Sequence, residues 1–244
     1  PEPGVEIPYQ IDISGLIGWF DAGSFDSTNG IWYNKIDGGL NAKTTGTISV
    51  DSSNASNGAG GSFNYLTGNT SSTVTLNATP FDGTTNTEYT FFHIDRYTGG
   101  SYQRIWQGVS LNYLSGFWNT GFGRYFQNDW VNENDNIYIE LTNWLLTVDQ
   151  NVSLGGNVQN YYNYDGSYHS HTYSSGGGNL KYLTNLAINT GKYSDETSDW
   201  GAAVVIMYNR TLDSDEITQV EDYLKEVYFG QSAPEPEPEP EPEP

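Results

Sequence analysis

The 244-residue chain contains no cysteine and no long hydrophobic run. A cysteine nucleophile is therefore excluded. A chain of this length folds without disulfides, so their absence does not show a reducing compartment. The longest apolar run, "GAAVVIMY", is far too short to span a bilayer, and we expect no membrane insertion. An initiator methionine and a signal peptide are also missing, which favours a processed product or an excised piece.

Basic residues are scarce as well. Nine Lys and Arg face 30 Asp and Glu, and the formal net charge is −21. The C-terminal tail supplies only five of the glutamates, so the rest of the chain is strongly acidic too. Such a field repels phosphate backbones and anionic lipid. We therefore expect no nucleic-acid partner.

The residues that are abundant indicate an all-β fold. The chain has 19 Tyr, 10 Phe, 7 Trp and 28 Gly, with short Ser, Thr and Asn runs throughout. Aromatic and β-branched residues suit strands, and Gly and Asn suit the turns between them. One sandwich domain of many short strands accommodates this length. Predicted strands include 15–22, 88–97 and 200–210, a pair from "QRIWQGVS" and "NYLSGFWNT", the alternating segment 136–150 and the segment 180–189.

A single helix is predicted near the end of the chain. Asp213 suits the N-cap position, and Glu216 completes a capping-box pair. Gly230 is placed to end the helix. The residues between them form an apolar stripe that predicts packing against a sheet, namely Ile217, Val220, Leu224 and Val227.

Alternating Pro and Glu occur at both ends of the chain. The segment 1–8 begins "PEPG", and 232–244 reads "SAPEPEPEPEPEP". Proline favours polyproline II and the like charges repel, so these segments predict extended spacers. A docking ligand is the alternative, but its PxxP pattern with apolar or basic anchors is missing. We expect one domain, 9–231, between two linkers of a longer modular protein.

Two motifs resemble a known family. "GLIGWFDAGSF" near the start and "AAVVIMYNRTLDSDEITQVEDYLKEVYFG" near the end are similar to laminin-G-like domains of the concanavalin A-like lectin/glucanase superfamily. The matching residues are Trp19, Asp21, Ala22, Tyr208, Asn209, Arg210, Leu212, Asp215 and Glu216. The resemblance implies a jelly-roll sandwich of two antiparallel sheets with one C-terminal helix. It leaves the ligand open, because this fold serves lectins, hydrolases, protein-binding modules and spacers.

The hydrolases of this superfamily provide a test for catalysis. They carry Glu-x-Asp-x-x-Glu on one strand, which directs three carboxylates into one groove. The nearest match is "ENDNIYIE", where Glu133 and Asp135 fit. Tyr138 occupies the position of the acid, and Glu140 comes two places too late. We therefore expect that the chain is not an enzyme, and a glycoside hydrolase is the least favoured of the functional hypotheses.

Metal binding has one weak candidate. His169 and His171 form His-x-His, which on a strand places both residues on one face. Asp165 or His93 would have to supply a third ligand. His93 lies in an apolar run and is better explained as a packed strand residue. Calcium is a further option, because acidic and Asn-rich loops offer oxygen ligands, but no EF-hand-like spacing identifies them.

Two polar and aromatic stretches are candidate binding sites. Sugar rings stack their C–H faces on Trp and Tyr and leave their hydroxyls for polar side chains. The first stretch, 116–130, is predicted as a loop with candidates Trp118, Arg124, Tyr125 and Trp130. The second, 160–173, offers Tyr161, Tyr164, Asp165, Tyr168 and His169, with "YDGS" as a hairpin turn. The alternative is that many of these aromatic residues belong to the core.

These observations favour a surface module without catalytic activity. It would be extracellular, on a cell surface or on a virion, and its partners would be glycans, surface glycoproteins or another surface component. The alternative is an adhesive spacer that contacts neighbouring domains or subunits of the same assembly. Five Asn-x-Ser/Thr sequons suit such a setting and are candidate glycosylation sites: Asn54, Asn69, Asn77, Asn151 and Asn209.

Overall fold

The computed structural model describes residues 11–77, 88–109, 112–127, 130–132, 140–151, 157–163, 168–174, 185–190, 193 and 195–231. Within these ranges, two antiparallel sheets and one C-terminal α-helix form a β-sandwich, which confirms the predicted fold class. No helix in the same ranges is long and apolar enough to cross a membrane.

The first sheet contains eight strands within the described residues. Their order is β15-β14-β13-β8-β17-β6-β5, and β1 also pairs with β17. The strands are β1 (Leu16–Asp21), β5 (Ile48–Ser52), β6 (Asn64–Gly68), β8 (Tyr89–Tyr97), β13 (Leu145–Asn151), β14 (Asn157–Asn163), β15 (Tyr168–Ser174) and β17 (Trp200–Tyr208).

The second sheet contains nine strands within the described residues. Their order is β12-β11-β10-β9-β16-β7-β4-β3-β2. The strands are β2 (Phe25–Asp26), β3 (Ile31–Trp32), β4 (Ala42–Thr45), β7 (Thr73–Thr75), β9 (Trp106–Gly108), β10 (Tyr113–Trp118), β11 (Gly121–Gln127), β12 (Trp130–Asn132) and β16 (Leu186–Ile188).

Two apolar cores lie on opposite faces of the eight-stranded sheet. The inter-sheet core includes Phe91 and Trp106, whose rings are 5.1 Å apart. The helix-side core includes Phe92, Ile94 and Ile206. The dense apolar sequences of β8 and β17 follow from this arrangement, because a strand covered on both faces carries few outward polar residues.

The helix begins as predicted. Helix α1 spans Ser214–Leu224, and Asp213 accepts hydrogen bonds from the backbone amides of Asp215 and Glu216 at 3.0 and 2.9 Å. The Glu216 carboxylate accepts from the Asp213 amide in return at 2.9 Å, which completes the capping box. Ile217, Val220 and Leu224 are buried in the helix-side core.

The prediction that Val227 faces the core is wrong. Its side chain is 43% exposed, whereas Tyr228 and Phe229 are buried. A π-helical turn over Lys225–Phe229 follows α1, and Gly230 closes it with φ 64°. This wider turn changes the angular spacing of the side chains, so the apolar face moves from Val227 to the next two residues.

Arg210 joins the start of the chain to the helix. Its Nη1 and Nη2 donate to the Glu216 carboxylate at 2.8 and 2.6 Å, and Nη2 also donates to Asp12 at 3.1 Å. Nε donates to the carbonyl of Ser14 at 2.7 Å. The hydrogen bonds from Arg210 lower the pKa of Glu216 to about 2. These contacts connect the segment before β1 to the N-terminus of α1.

One strand prediction and one loop prediction need correction. The segment 136–150 is a strand only from Leu145, because 140–144 is a turn, and 136–139 lie outside the described residues. The stretch 116–130 is not a loop, since it contributes to β10, β11 and β12. Asn119 and Thr120 form a two-residue turn with φ 47° and 63°, as tight hairpins require. The predicted pairing of β9 with β10 is confirmed.

The ion pair of Glu216 predicts a specific pH dependence of stability. Its pKa is about 2 in the folded chain and 4.5 ordinarily. A lowered folded-state pKa contributes stability that is complete above about pH 4.5 and is lost as the pH falls towards 2. We expect Glu216→Gln to be less stable than wild type at pH 7 and to lose less of its stability on acidification. Urea unfolding at several pH values measures both effects.

Glu226→Gln is the matched control. Glu226 is exposed on the same helical segment and forms no ion pair within the described part of the chain. This variant should follow the wild-type curve. An acid-induced loss in Glu216→Gln as large as that of wild type would contradict the assignment.

Candidate functional site

Three aromatic side chains lie on the outer face of β10, β11 and β12. Phe117 and Tyr125 belong to the inter-sheet core, whereas their strand neighbours Trp118 and Phe126 are half-buried and belong to neither core. Successive side chains of a strand point to opposite faces. Trp130 is likewise half-buried outside both cores. The three rings therefore face away from the eight-stranded sheet.

These rings contact one another across the strands. The centroids of Trp118 and Trp130 are 5.2 Å apart at an interplanar angle of 43°. Phe126 packs edge-on against Trp130 at 5.1 Å. Register explains the contact, because Phe126 pairs directly with Trp130. We call Trp118, Phe126 and Trp130 the aromatic platform.

Arg124 lies close to the platform. Trp118 pairs with Gly121, and a Cβ on Gly121 would lie 2.5 Å from Arg124 Nη2. Arg124 is half-buried, and its guanidinium lies beside Gly121, where a larger residue would place its side chain. The structure thus brings together three of the four residues predicted in this stretch and adds Phe126, which sequence reasoning missed. Phe126 could have been predicted from its position between Tyr125 and Gln127, because the strand neighbours of inward-pointing residues point outward.

Tyr125 is corrected from a ligand contact to a core residue. Its side chain has no exposed surface. The Tyr125 hydroxyl lies 2.6 Å from that of Tyr89 and donates to Gln127 Oε1 at 2.7 Å, and Tyr89 donates to the same oxygen at 2.8 Å. Burial raises the pKa of Tyr125 well above its usual value. The ring cannot reach a surface ligand in this fold.

The second candidate stretch contributes two paired strands. β14 and β15 are antiparallel neighbours, with Asn163 opposite Tyr168 and Tyr162 opposite His169. Tyr161 thus lies on β14 opposite Ser170, and Tyr168, His169 and His171 lie on β15. Tyr164 and Asp165, with the rest of the predicted "YDGS" turn, lie outside the described residues.

The two stretches come to the same edge of the sandwich. β12 is the edge strand of one sheet and β15 the edge strand of the other. Residues of β12 have Cα atoms within 8 Å of residues in both β14 and β15. β14 and β15 belong to the eight-stranded sheet, however, whereas the platform lies on the side of the nine-stranded sheet that points away from it.

The metal prediction loses one of its possible ligands. His93 lies in β8, and β13 and β14 separate it from β15, so three strand spacings of about 4.8 Å intervene. Both ring nitrogens of His93 also have hydrogen-bond partners. His169 and His171 keep their predicted two-residue spacing on β15. In the described part of the chain, no group of three or more His, Asp or Glu side chains is placed to hold a metal.

His93 is a packed strand residue, as predicted, but its partners form an arrangement that the sequence did not reveal. Nδ1 lies 3.0 Å from Asp95 Oδ2, and Nε2 lies 2.6 Å from Ser115 Oγ. This is the order of groups in a Ser-His-Asp triad. All three side chains have no exposed surface, so no substrate can reach Ser115 in this fold. The hydrolase segment with Glu133, Asp135 and Tyr138 lies outside the described residues, and Glu140 is exposed in a turn.

The five sequons differ in exposure. Asn54, Asn69 and Asn209 are exposed. Asn77 is half-buried, and its amide donates to the carbonyl of Asn41 at 2.9 Å. Asn151 is only 2% exposed at the end of β13. The prediction that Asn151 is a glycosylation site is therefore corrected, because a glycan on this buried residue has no path to solvent from the folded sheet.

Comparison with known proteins identifies the fold. No protein-family model and no curated protein sequence matches the chain. A Trypanosoma rangeli sialidase mutant displaying trans-sialidase activity has a TM-score of 0.55 at 16% identity over 85% of this chain and 32% of its own. This chain therefore spans about a third of that protein.

Two further structures are similar. Domain 4 of AbnA, a GH43 extracellular arabinanase from Geobacillus stearothermophilus, was solved with arabinotriose. It has a TM-score of 0.55 at 14% identity and is matched over 85% of this chain and 98% of its own. The binding domain of Botulinum Neurotoxin DC, in complex with SialylT, has a TM-score of 0.51 at 12% identity over 85% and 50% of the two chains. At these identities the likeness shows the β-sandwich fold alone.

Burial of Asn151 predicts which sequon stays unmodified. We expect protein secreted from an N-glycosylating cell line to carry no glycan on Asn151, because a modified chain could not place β13 in the sheet. Peptide mass spectrometry after enzymatic deglycosylation measures occupancy at each sequon, and the exposed Asn54 serves as the comparison. A folded, soluble fraction with glycan on Asn151 would contradict the structure.

Proposed function

We propose that this chain is a laminin-G-like module of the concanavalin A-like superfamily that binds glycans without catalysing their breakdown. The aromatic platform is the observation that carries the proposal. Three large rings lie together outside both cores of the described residues, and each is only half-buried. Clustered apolar side chains that stay partly exposed are typical of a binding surface.

The chemistry of the platform suits a sugar. Trp and Phe rings offer apolar faces to the C–H groups of a pyranose or furanose ring. Arg124 lies beside the platform at Gly121, and a guanidinium group is a hydrogen-bond donor that suits sugar hydroxyls. Aromatic faces with a few polar groups beside them are the usual composition of a small-ligand site.

The similar structures support this reading. The arabinanase domain was solved with arabinotriose, and the neurotoxin binding domain with SialylT. Both domains have a β-sandwich fold similar to that of this chain, and their ligands give a reason to test whether this chain binds sugars. The extracellular arabinanase also supports a location outside the cell, and a cell or virion surface remains part of our proposal. In this proposal, 9–231 is one bead between Pro-Glu linkers.

The buried triad-like arrangement supports a role without catalysis. A nucleophile must meet its substrate, and Ser115 lies between the sheets with no exposed surface. A glycoside hydrolase would need a pair of carboxylates in an open groove instead. The proposal therefore assigns binding to the outer face and a structural role to the inner polar groups.

A glycan array tests the proposal. We expect saturable binding to at least one glycan, and Trp118→Ala and Trp130→Ala should each weaken it about tenfold or more, which corresponds to about 1.4 kcal/mol. Tyr33→Ala is the matched control, because Tyr33 is half-buried beside β3, near the opposite edge of the same sheet. Runs with calcium and with chelator also test whether a calcium site contributes.

Other results would point elsewhere. No saturable binding across the array would overturn the proposal, and self-association or capture of a neighbouring chain would then favour the adhesive spacer. Release of reducing ends from a polysaccharide panel would show an enzyme. Binding that survives both tryptophan substitutions but is lost in Tyr164→Ala would move the site to the β14–β15 hairpin.

A further inference from the structure

A polar cluster between the sheets has no part in the proposed function. It consists of His93, Asp95, Ser115 and Thr147, none of which has exposed surface. His93 is bonded on both sides, to Asp95 Oδ2 and Ser115 Oγ. Two oxygens of the cluster, Asp95 Oδ1 and Thr147 Oγ1, are buried without a hydrogen-bond partner.

Both oxygens lie around the same glycine. A Cβ on Gly116 would be 3.5 Å from Asp95 Oδ1 and 3.6 Å from Thr147 Oγ1. Gly116 has φ 80°, and the β10–β11 register shifts between Gly116 and Trp118. The irregularity thus presents a residue without a side chain to two oxygens that have no partner. His93 Cε1 would lie only 2.9 Å from the same Cβ, so the ring leaves no room for a side chain at position 116.

Buried oxygens of this kind are rare in folded proteins. Nearly all buried polar side-chain atoms bond to protein or to ordered water, and a carboxylate oxygen without a partner is strongly unfavourable. Internal waters occupy polar spaces and bond to groups that the protein leaves unsatisfied. Asp95 Oδ1 and Thr147 Oγ1 are two such unsatisfied groups, and both lie near Gly116.

We propose that one internal water molecule binds beside Gly116. It donates one hydrogen bond to Asp95 Oδ1 and forms a second with Thr147 Oγ1. The water connects β8 and β13 at the point where β10 bulges, two residues before Trp118. The proposed water does not depend on what the aromatic platform binds.

Thr147→Val tests the proposal in the full chain. Valine keeps the shape of threonine but removes Oγ1, so the water loses a partner and Asp95 loses its water. We expect the unfolding equilibrium constant to rise about tenfold. We also expect oxygen-17 magnetic relaxation dispersion to count one fewer long-lived internal water than in wild type.

Thr90→Val is the control. The Thr90 hydroxyl is buried but fully bonded, because it donates to the Arg210 carbonyl at 3.0 Å and accepts from the Leu212 amide at 3.1 Å. This variant should also lose stability, but its count of long-lived waters should equal that of wild type. The pair of variants separates loss of a hydroxyl from loss of the water.

The same variant and a crystal structure can each contradict the proposal. If Thr147→Val raises stability and leaves the water count unchanged, the hydroxyl has no partner and the site is dry. A high-resolution crystal structure of the wild-type chain decides the matter even if the variant does not fold. A single peak within hydrogen-bond distance of both oxygens supports the proposal. An empty space, or a cation with several short oxygen contacts, overturns it.

Discussion

The antiparallel pairing of β8 with β17 is the interaction on which the rest of the structure depends. All nine residues of β17 are buried, and its register with β8 runs from Trp200 opposite Tyr97 to Tyr208 opposite Thr90. Alternation sends Val205 into the inter-sheet core and Ile206 into the helix-side core. Because both faces of this pair are covered, the nine-stranded sheet and the helix are positioned by the same two strands.

The same alternation separates the core from the surface in β10 and β11. Phe117 and Tyr125 point inward, and Trp118 and Phe126 point outward. A register slip of one residue would exchange these sets and expose the core. Buried hydrogen bonds oppose such a slip, because His93 meets Ser115, and Tyr113 donates to Asp149 at 2.6 Å, across the two sheets. The exposure of the platform and the order of the interior are therefore consequences of one register.

Local patterns predicted much of the fold. Some features depend only on near neighbours in sequence and can therefore be predicted from the sequence alone. They are the capping box at Asp213 and Glu216 and the apolar runs of β8 and β17. Val227 was assigned wrongly because a π turn interrupts the 3.6-residue period. Gly and Asn residues in the stretch 116–130 favour a loop, whereas in its described part, 116–127 and Trp130, Asn119 and Thr120 form the turn and the other residues belong to strands.

Composition, alternation and capping are local properties of the chain, so they were sufficient to predict an acidic all-β fold with one capped helix. The burial of individual aromatic residues depends on the tertiary structure, because Tyr125 and Phe126 are adjacent aromatic residues and only Tyr125 is fully buried. It also decided that Ser115 meets His93 and that Trp118 meets Trp130. Contacts between strands depend on register and sheet order, and neither can be read from the spacing of residues along one strand.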